Sequence, residues 1–306
     1  MSAVVPPPGG ALIAPEAALA AGGSVSGRPD RLALWRRLTS SPLTVFGLVI
    51  IGVFVLLAVA APLVAPHDPN RFAGASKFLA PSASHPFGTD DAGRDVLSRV
   101  IFGTRYSLTA AVAILAFAAV VGTTVGLISG YLGGWVDETL MRVTDMFLAF
   151  PALVLALAAA AALGPSLYNA AFAIGIVWWP WYARLVRGQV MSLKNEPFVA
   201  AARIVGAGPG RIMVRHILRN CTTPIIVQMS LDVGYAILTL ASLSFIGLGA
   251  QPPTPEWGSM ISVGRNFYLT QWWVATFPGL AIFAVVMAVN LVGDGLQEAL
   301  APRRSL

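Results

Sequence analysis

The chain has 306 residues, of which 56% are hydrophobic and only 11% charged, and its mean hydropathy is +0.73. A soluble domain carries roughly 25% charge, so a chain this apolar cannot cover its own surface with polar groups and belongs in a membrane. The net charge of +6 and isoelectric point of about 10.0 do not indicate nucleic acid, because excess Lys and Arg in membrane proteins mark the loops that face the cytoplasm. The single cysteine, Cys221, excludes an intramolecular disulfide and reads as a small apolar filler at a helix start. With three scattered histidines it leaves little for a Cys/His metal site, and no metal is expected.

Residues 1–34 form a tail, rich in Pro, Gly and Ala up to residue 27 and ending in a basic flank. Its apolar stretch is broken by Pro15 and Glu16 and lacks a basic start, so it reads as a disordered cytoplasmic tail rather than a cleaved signal. Residues 35–304 then read as one all-α membrane domain, with 305–306 as a short end. Intervals with few or no charges place spans at about 44–64, long enough to cross roughly 30 Å of hydrocarbon, then 107–130, 141–163, a shorter 168–181, 223–246 with Asp232 inside it, and 273–296, with Gly164-Pro165-Ser166 dividing the third from the fourth. Between them lie an outer segment, 66–106, and a cytoplasmic segment, 184–221.

Orientation follows from the basic residues. Arg28, Arg31, Arg36, Arg37, Arg142, Arg184, Arg187, Lys194, Arg203, Arg211, Arg215, Arg219, Arg303 and Arg304 all fall on one side. The other side holds Arg71, Lys77, Arg94, Arg99, Arg105 and Arg265, nearly neutralised by Asp68, Asp90, Asp91, Asp95 and Glu256. The positive-inside rule places both termini in the cytoplasm.

Three stretches are neither spans nor ordinary loops. In HPFGTDDAGRDVLSRVIFGTRYSL, Thr89 or Asp90 is expected to cap a helix with Val96, Leu97, Val100 and Ile101 on one face and an Asp95–Arg99 pair on the other. It is either an interfacial helix leading into the second span or an outer collar receiving a substrate or donor protein, for which Asp91, Arg94 and Asp95 are the candidate contacts. In PFVAAARIVGAGPGRIMVRHIL two short helices are expected, the first starting after Glu196-Pro197 and ending near Gly206 in a left-handed cap. Phe198, Ala201, Ala202 and Val205 fall at helical spacing as an apolar stripe, with Arg203 pointing elsewhere. That stripe rests on the bundle or plugs a groove in a cytoplasmic partner. In LGAQPPTPEWGSMISVGRNFYLTQWW a fixed irregular loop precedes a short helix, and Trp272 and Trp273 read as an aromatic belt at the headgroups.

No Walker A sequence occurs: the two lysines follow Ser76 and Leu193, not glycine. G-x-S-x-G, H-E-x-x-H and C-x-x-C are also absent, so any ATP chemistry belongs to another polypeptide. Asp232 is the one acid placed well inside a span. A carboxylate at a helix centre costs on the order of 2.5–3.5 kcal/mol on insertion scales, so it should avoid lipid. With Gln228 and Tyr235 one turn away on either side it gives the fifth span a polar face, either a pathway wall or an interhelical tie.

Ala200-Ala201-Ala202, followed by Gly206 and Ile217-Leu218, resembles the EAA loop of ABC-importer permeases. HPFGTDDAGRDVLSR, QPPTPEWGSM and NLVGDGLQEALAPR resemble the C-type permeases of the dipeptide/oligopeptide/nickel importer class. Here Ala200 stands in place of the motif glutamate and Arg219 in place of the proline. The resemblance implies a type I importer permease fold and ATPase coupling through Phe198, Ala200, Ala201, Ala202, Arg203, Val205 and Gly206. Implied partners are a homologous permease, two ABC ATPase subunits or domains, an extracytoplasmic solute-binding protein and membrane lipid. No cofactor is implied for this chain; ATP and Mg2+ sit on the ATPases. The implied cargo is di- or oligopeptides, with nickel chelates and glutathione-like compounds as alternatives within the class. An ion-driven secondary transporter, with Asp145, Asp232 and Asp294 as its candidate acids, and a channel or scaffold are the rival classes.

Overall fold

The computed structural model describes residues 35–36 and 38–300. The expected tail, residues 1–34, and the end at 305–306 lie outside the described residues, as do Arg37, Arg303 and Arg304. Among the described residues the fold is helical, with one isolated bridge between Thr89 and Asp95.

Helix α1, Pro42–Val64, starts on a proline whose missing N–H would be unpaired there anyway. It lies on the side of the bundle, where Gly47 and Gly295 let it approach the last helix closely: a Cβ on Gly47 would meet the Ala288 carbonyl at 2.7 Å. Helix α2, Val96–Leu132, has 37 residues, about 55 Å at the helical rise. The separate interfacial helix expected before the second span does not exist; it is the first part of α2. The expected cap is also corrected. Asp95, not Thr89 or Asp90, caps α2 by accepting from the Ser98 N–H at 2.8 Å.

The third expected span, 141–163, is not one helix. Helices α3, Gly134–Leu148, and α4, Ala152–Leu163, meet at 88°. Pro151 supplies no N–H and biases Phe150 away from helical geometry, so the break falls where the sequence puts proline. Helix α5, Leu167–Leu193, extends twelve residues beyond the expected end at 181. The charges that seemed to stop it, Arg184 and Arg187, are met by Asp145 and Asp137 of α3, each at 2.6 Å.

The α2–α5 seam is the most extensive in the bundle and rests on Gly122, Gly126 and Gly130. Cβ atoms there would meet the Trp179 carbonyl at 2.4 Å, the Ala183 carbonyl at 2.4 Å and Val190 Cβ at 2.8 Å. Small residues every fourth position bring two membrane helices into backbone contact in this way.

Helix α6, Pro197–Ile204, is the first of the two expected short helices. The second is not separate. Pro209–Arg211 runs through a π-helical turn, Ile212–Ile217, into α7, Leu218–Ile246, so the cytoplasmic segment expected over 184–221 is mostly the ends of two long helices. Helix α8, Trp257–Gly264, and α9, Trp273–Leu300, complete the bundle.

Among the described residues, four helical runs are long and apolar enough to cross a membrane, and the bent α3–α4 pair makes a fifth if counted as one span. Helix α5 has the length for a sixth, but with Asn169, Arg184 and Arg187 along it, it is less apolar than those runs. One core, around Ile114, Ile174, Leu240 and Trp257, fills the bundle toward the 66–106 segment. A second, around Tyr182, Val186, Ile212, Ile217 and Cys221, fills it toward α6.

Candidate functional site

Three regions gather the candidate residues. The first is a groove of about 880 Å3 along α4, α5 and α7. Within it the Tyr182 hydroxyl donates to Asp232 Oδ2 at 2.6 Å, and Gln228 Nε2 donates to Oδ1 at 2.9 Å. Tyr182 is buried on α5, so the Asp232 carboxylate joins α5 to α7 while lining the groove. Tyr235 lines it too, 69% exposed, and takes no part in the hydrogen bonds to Asp232. Trp178, Trp181 and Arg184 complete the wall. Of the three candidate acids, only Asp232 faces this groove. Asp145 pairs with Arg184, and Asp294 is exposed at the far end of α9.

The second region is α6. Pro197 starts it, and Gly206 follows its last turn with φ +81°. The Gly206 N–H donates to the Arg203 carbonyl and the Ala207 N–H to the Ala202 carbonyl, both at 3.0 Å, the paired bonds of a glycine-closed helix end. The expected stripe needs one correction: Ala202 does not face outward. With Val199 it is buried against Ile212, Ile217 and Cys221. The outward apolar surface is made by Phe198, Ala201, Ile204 and Val205, with Ile204 87% and Val205 81% exposed. Sequence reading missed Ile204, although it lies three residues after Ala201, one turn along the same face. Ala200 is exposed beside this surface, and Arg203 lies over the Tyr131 ring at 5.9 Å.

The third region is the collar, where the segment 66–106 meets the 251–273 segment. Asp90 is buried and accepts from Arg94 Nε at 2.7 Å and from the Ala92 and Arg94 N–H groups at 2.9 Å. Arg99 does not pair with Asp95, as the one-turn spacing implied. Its Nε lies 3.5 Å from Asp90, and its Nη1 donates to the Pro69 carbonyl at 2.8 Å and the Pro253 carbonyl at 3.2 Å. Asp95 is occupied instead by Ser98 and by His85 Nδ1 at 2.9 Å. Of the collar candidates, Arg94 and Asp95 are therefore turned inward, and Asp91 alone stands partly open, 3.2 Å from Arg94 Nη2.

Trp273 is not in an aromatic belt. It is buried and donates from Nε1 to the Thr89 carbonyl at 3.1 Å, while Trp272 stays exposed. Glu256 caps α8 through the Gly258 and Ser259 N–H groups at 2.9 Å, and burial pushes its carboxyl above the usual range. Two of the three histidines are brought together: the His67 and His85 rings lie 4.8 Å apart beside Asp95.

Long apolar helices beside a mostly apolar groove that holds one hydrogen-bonded carboxylate, with a short helix held out at one end, are the architecture of a multi-pass membrane protein. The chain belongs to the binding-protein-dependent transport system inner membrane component family, which it matches over residues 122–306. Residues 31–81 match the N-terminal TM domain of oligopeptide transport permease C. The chain is 48% identical over 266 residues to the probable D,D-dipeptide transport system permease protein DdpC of Escherichia coli, covering 87% of this chain and 89% of that one. It is 46% identical over 269 residues to the dipeptide transport system permease protein DppC of Alkalihalophilus pseudofirmus, covering 88% of each. It is 42% identical over 274 residues to the glutathione transport system permease protein GsiD of Pectobacterium atrosepticum, covering 88% of this chain and 90% of that one.

Proposed function

We propose that this chain is one of two homologous permeases in an ATP-driven importer that carries di- and oligopeptides across the cytoplasmic membrane by alternating access. The observation that carries this reading is α6, which holds Ile204 and Val205 out of the bundle while Val199 and Ala202 anchor it to the ends of α5 and α7. A partner that grips the exposed face moves those helix ends, and α5 and α7 line the groove holding Asp232. ATP and Mg2+ belong to two ATPase subunits beneath α6, and an extracytoplasmic binding protein delivers the cargo to the collar. Both termini and α6 then face the cytoplasm. The relatives named for dipeptide transport support the choice of cargo; the relative named for glutathione transport makes that tripeptide the second reading.

The test is uptake into vesicles holding this chain with its partner permease, ATPases and binding protein. Labelled dipeptide should accumulate only with ATP inside the compartment that the ATPases face. Accumulation driven by an ion gradient without the ATPases overturns the ATP-driven reading. Uptake of glutathione with no uptake of dipeptides replaces the cargo.

A further inference from the structure

The collar satisfies its buried polar atoms internally: among the described residues none lacks a hydrogen-bond partner. His67 is different. It follows the end of α1, its side chain is 38% exposed, and its Nδ1 points at Asp95 Oδ2 from 3.8 Å, beyond hydrogen-bond length. His85 reaches the other oxygen of the same carboxylate at 2.9 Å. Two imidazoles thus converge on one buried carboxyl group that already caps a helix.

We propose that His67, His85 and Asp95 form a three-ligand site for a divalent transition ion of the zinc class. The donor atoms all lie within 4.8 Å of one another. An ion bound tetrahedrally at about 2.0–2.2 Å holds its ligands roughly 3.3 Å apart; His85 Nδ1 lies 2.9 Å from Asp95 Oδ1, near that spacing, and His67 Nδ1 lies 3.8 Å from the other oxygen, Oδ2. Two imidazoles and one carboxylate suit zinc, whereas calcium and magnesium take oxygen donors. The carboxylate is held from behind, since Ser98 N–H and Oγ both donate to Asp95 Oδ2, at 2.8 and 2.7 Å. The same Ser98 hydroxyl accepts from the His67 backbone N–H at 3.0 Å, so one side chain positions two of the three ligands.

Access is open, because His67 borders a crevice of about 480 Å3 with Pro66, Asp68, Asn70 and Phe102. To ligate through Nδ1, His85 must carry its single ring proton on Nε2, which turns the Nδ1 lone pair to the metal. The ion links the end of α1 to the start of α2. Since α1 is buried over only 11% of its apolar stretch, against 39–44% for the other three long apolar runs, this tie bears on a weakly embedded span.

The test uses the assembled transporter, purified without a histidine tag and stripped with EDTA, titrated with Co2+ and then Zn2+ in the absence of nucleotide. Expected are a visible Co2+ band that saturates at one ion per copy of this chain, its loss as Zn2+ displaces cobalt, and a higher melting temperature with Zn2+. His67→Gln and His85→Gln should each weaken binding by about tenfold or more. Asp95→Asn keeps an oxygen for the Ser98 N–H and should weaken binding while the complex still assembles. His216→Gln, on the π-helical turn, should leave the titration unchanged. A wild-type complex with no saturable Co2+ band overturns the site and leaves an ordinary His–Asp pair. A His67→Gln complex that binds cobalt as tightly as wild type overturns it as well, because the ion then sits elsewhere.

Discussion

The collar and α6 stand at opposite extremes of how this chain holds a segment in place. The collar is largely irregular before α2, yet Asp90, Arg94 and Asp95 are buried in it, and Arg99, Trp257 and Trp273, from the first turns of α2, α8 and α9, bond to segments far away in sequence. Helix α6 is regular but only eight residues long, held by two inward side chains and a glycine-closed end. An isolated helix of that length is unstable in water, so α6 takes its order from Ile212, Ile217 and Cys221 beneath it. Irregular backbone is the firmer of the two where buried charge fixes it, and the helix is the part built to meet something else.

The largest effect should come from breaking the collar. Asp90→Ala removes the acceptor for Arg94 Nε and the counter-charge of Arg99 while both cations stay buried. Breaking a buried pair from one side costs roughly 3–5 kcal/mol, so membrane levels of the protein and the melting temperature of the purified complex should both collapse. Next in size is Ile204→Asp on α6. Ile204 is almost fully exposed, so folding and membrane level should match wild type, while ATP-driven uptake falls at least about tenfold, the loss of a buried interface contact worth over 1.4 kcal/mol. If Asp90→Ala is tolerated and Ile204→Asp is not recovered from the membrane, the contrast between the two regions is reversed.

Much of this was legible in the sequence, and the misses share a cause. Apolar runs located α1, α2, α7 and α9, and Gly164-Pro165-Ser166 marked the break between α4 and α5 because proline and glycine act locally. Charges misled where their partners lay far along the chain. Arg184 ended the fourth span on paper because nothing nearby in sequence showed that Asp145 would meet it. Asp95 and Arg99 sat one turn apart, but a carboxylate just before a helix is drawn to the helix N–H groups, and Arg99 found Asp90 and two carbonyls instead. In α6 the repeat identified an apolar stripe, yet only the packing of Ile212 and Ile217 decided that Ala202 faces in and Ile204 out. His67 and His85 lie eighteen residues apart in the segment between α1 and α2, and no local pattern could bring them together.

Gly206 sharpens the contrast at smaller cost. Its φ of +81° is one that a β-branched residue reaches only under strain, although a side chain there would meet nothing within 4 Å. Gly206→Val should therefore act through backbone strain alone, roughly 1–3 kcal/mol. The two bonds closing α6 loosen, uptake drops severalfold, and the amount of assembled complex is nearly unchanged. Gly206→Ala should fall between the two, and hydrogen exchange of the Gly206 and Ala207 N–H groups follows the loosening directly.

The smallest effect on stability, and the most telling on transport, is expected at Asp232. This carboxylate accepts from Tyr182 at 2.6 Å and from Gln228 at 2.9 Å, so it resembles the collar acids in being fully used. It differs from them in facing a groove, and its neighbour Tyr235 is open to that space. Asp232→Asn keeps an oxygen for the Tyr182 hydroxyl and removes the charge. If the residue is only a tie between α5 and α7, the change costs about 1 kcal/mol, as for one altered hydrogen bond, and uptake follows the amount of complex. If the carboxylate meets cargo, uptake per assembled complex changes severalfold while the melting temperature hardly moves. Tyr182→Phe separates the two cases from the other side: it removes the tie and leaves the charge, so it should lower the melting temperature more than it lowers uptake. A cysteine at position 232, with Cys221 replaced by serine, adds a third reading. Its reaction with a water-soluble thiol reagent should differ between ATP-trapped and nucleotide-free complexes, because a groove wall changes its access to water when α5 and α7 move and a buried tie does not.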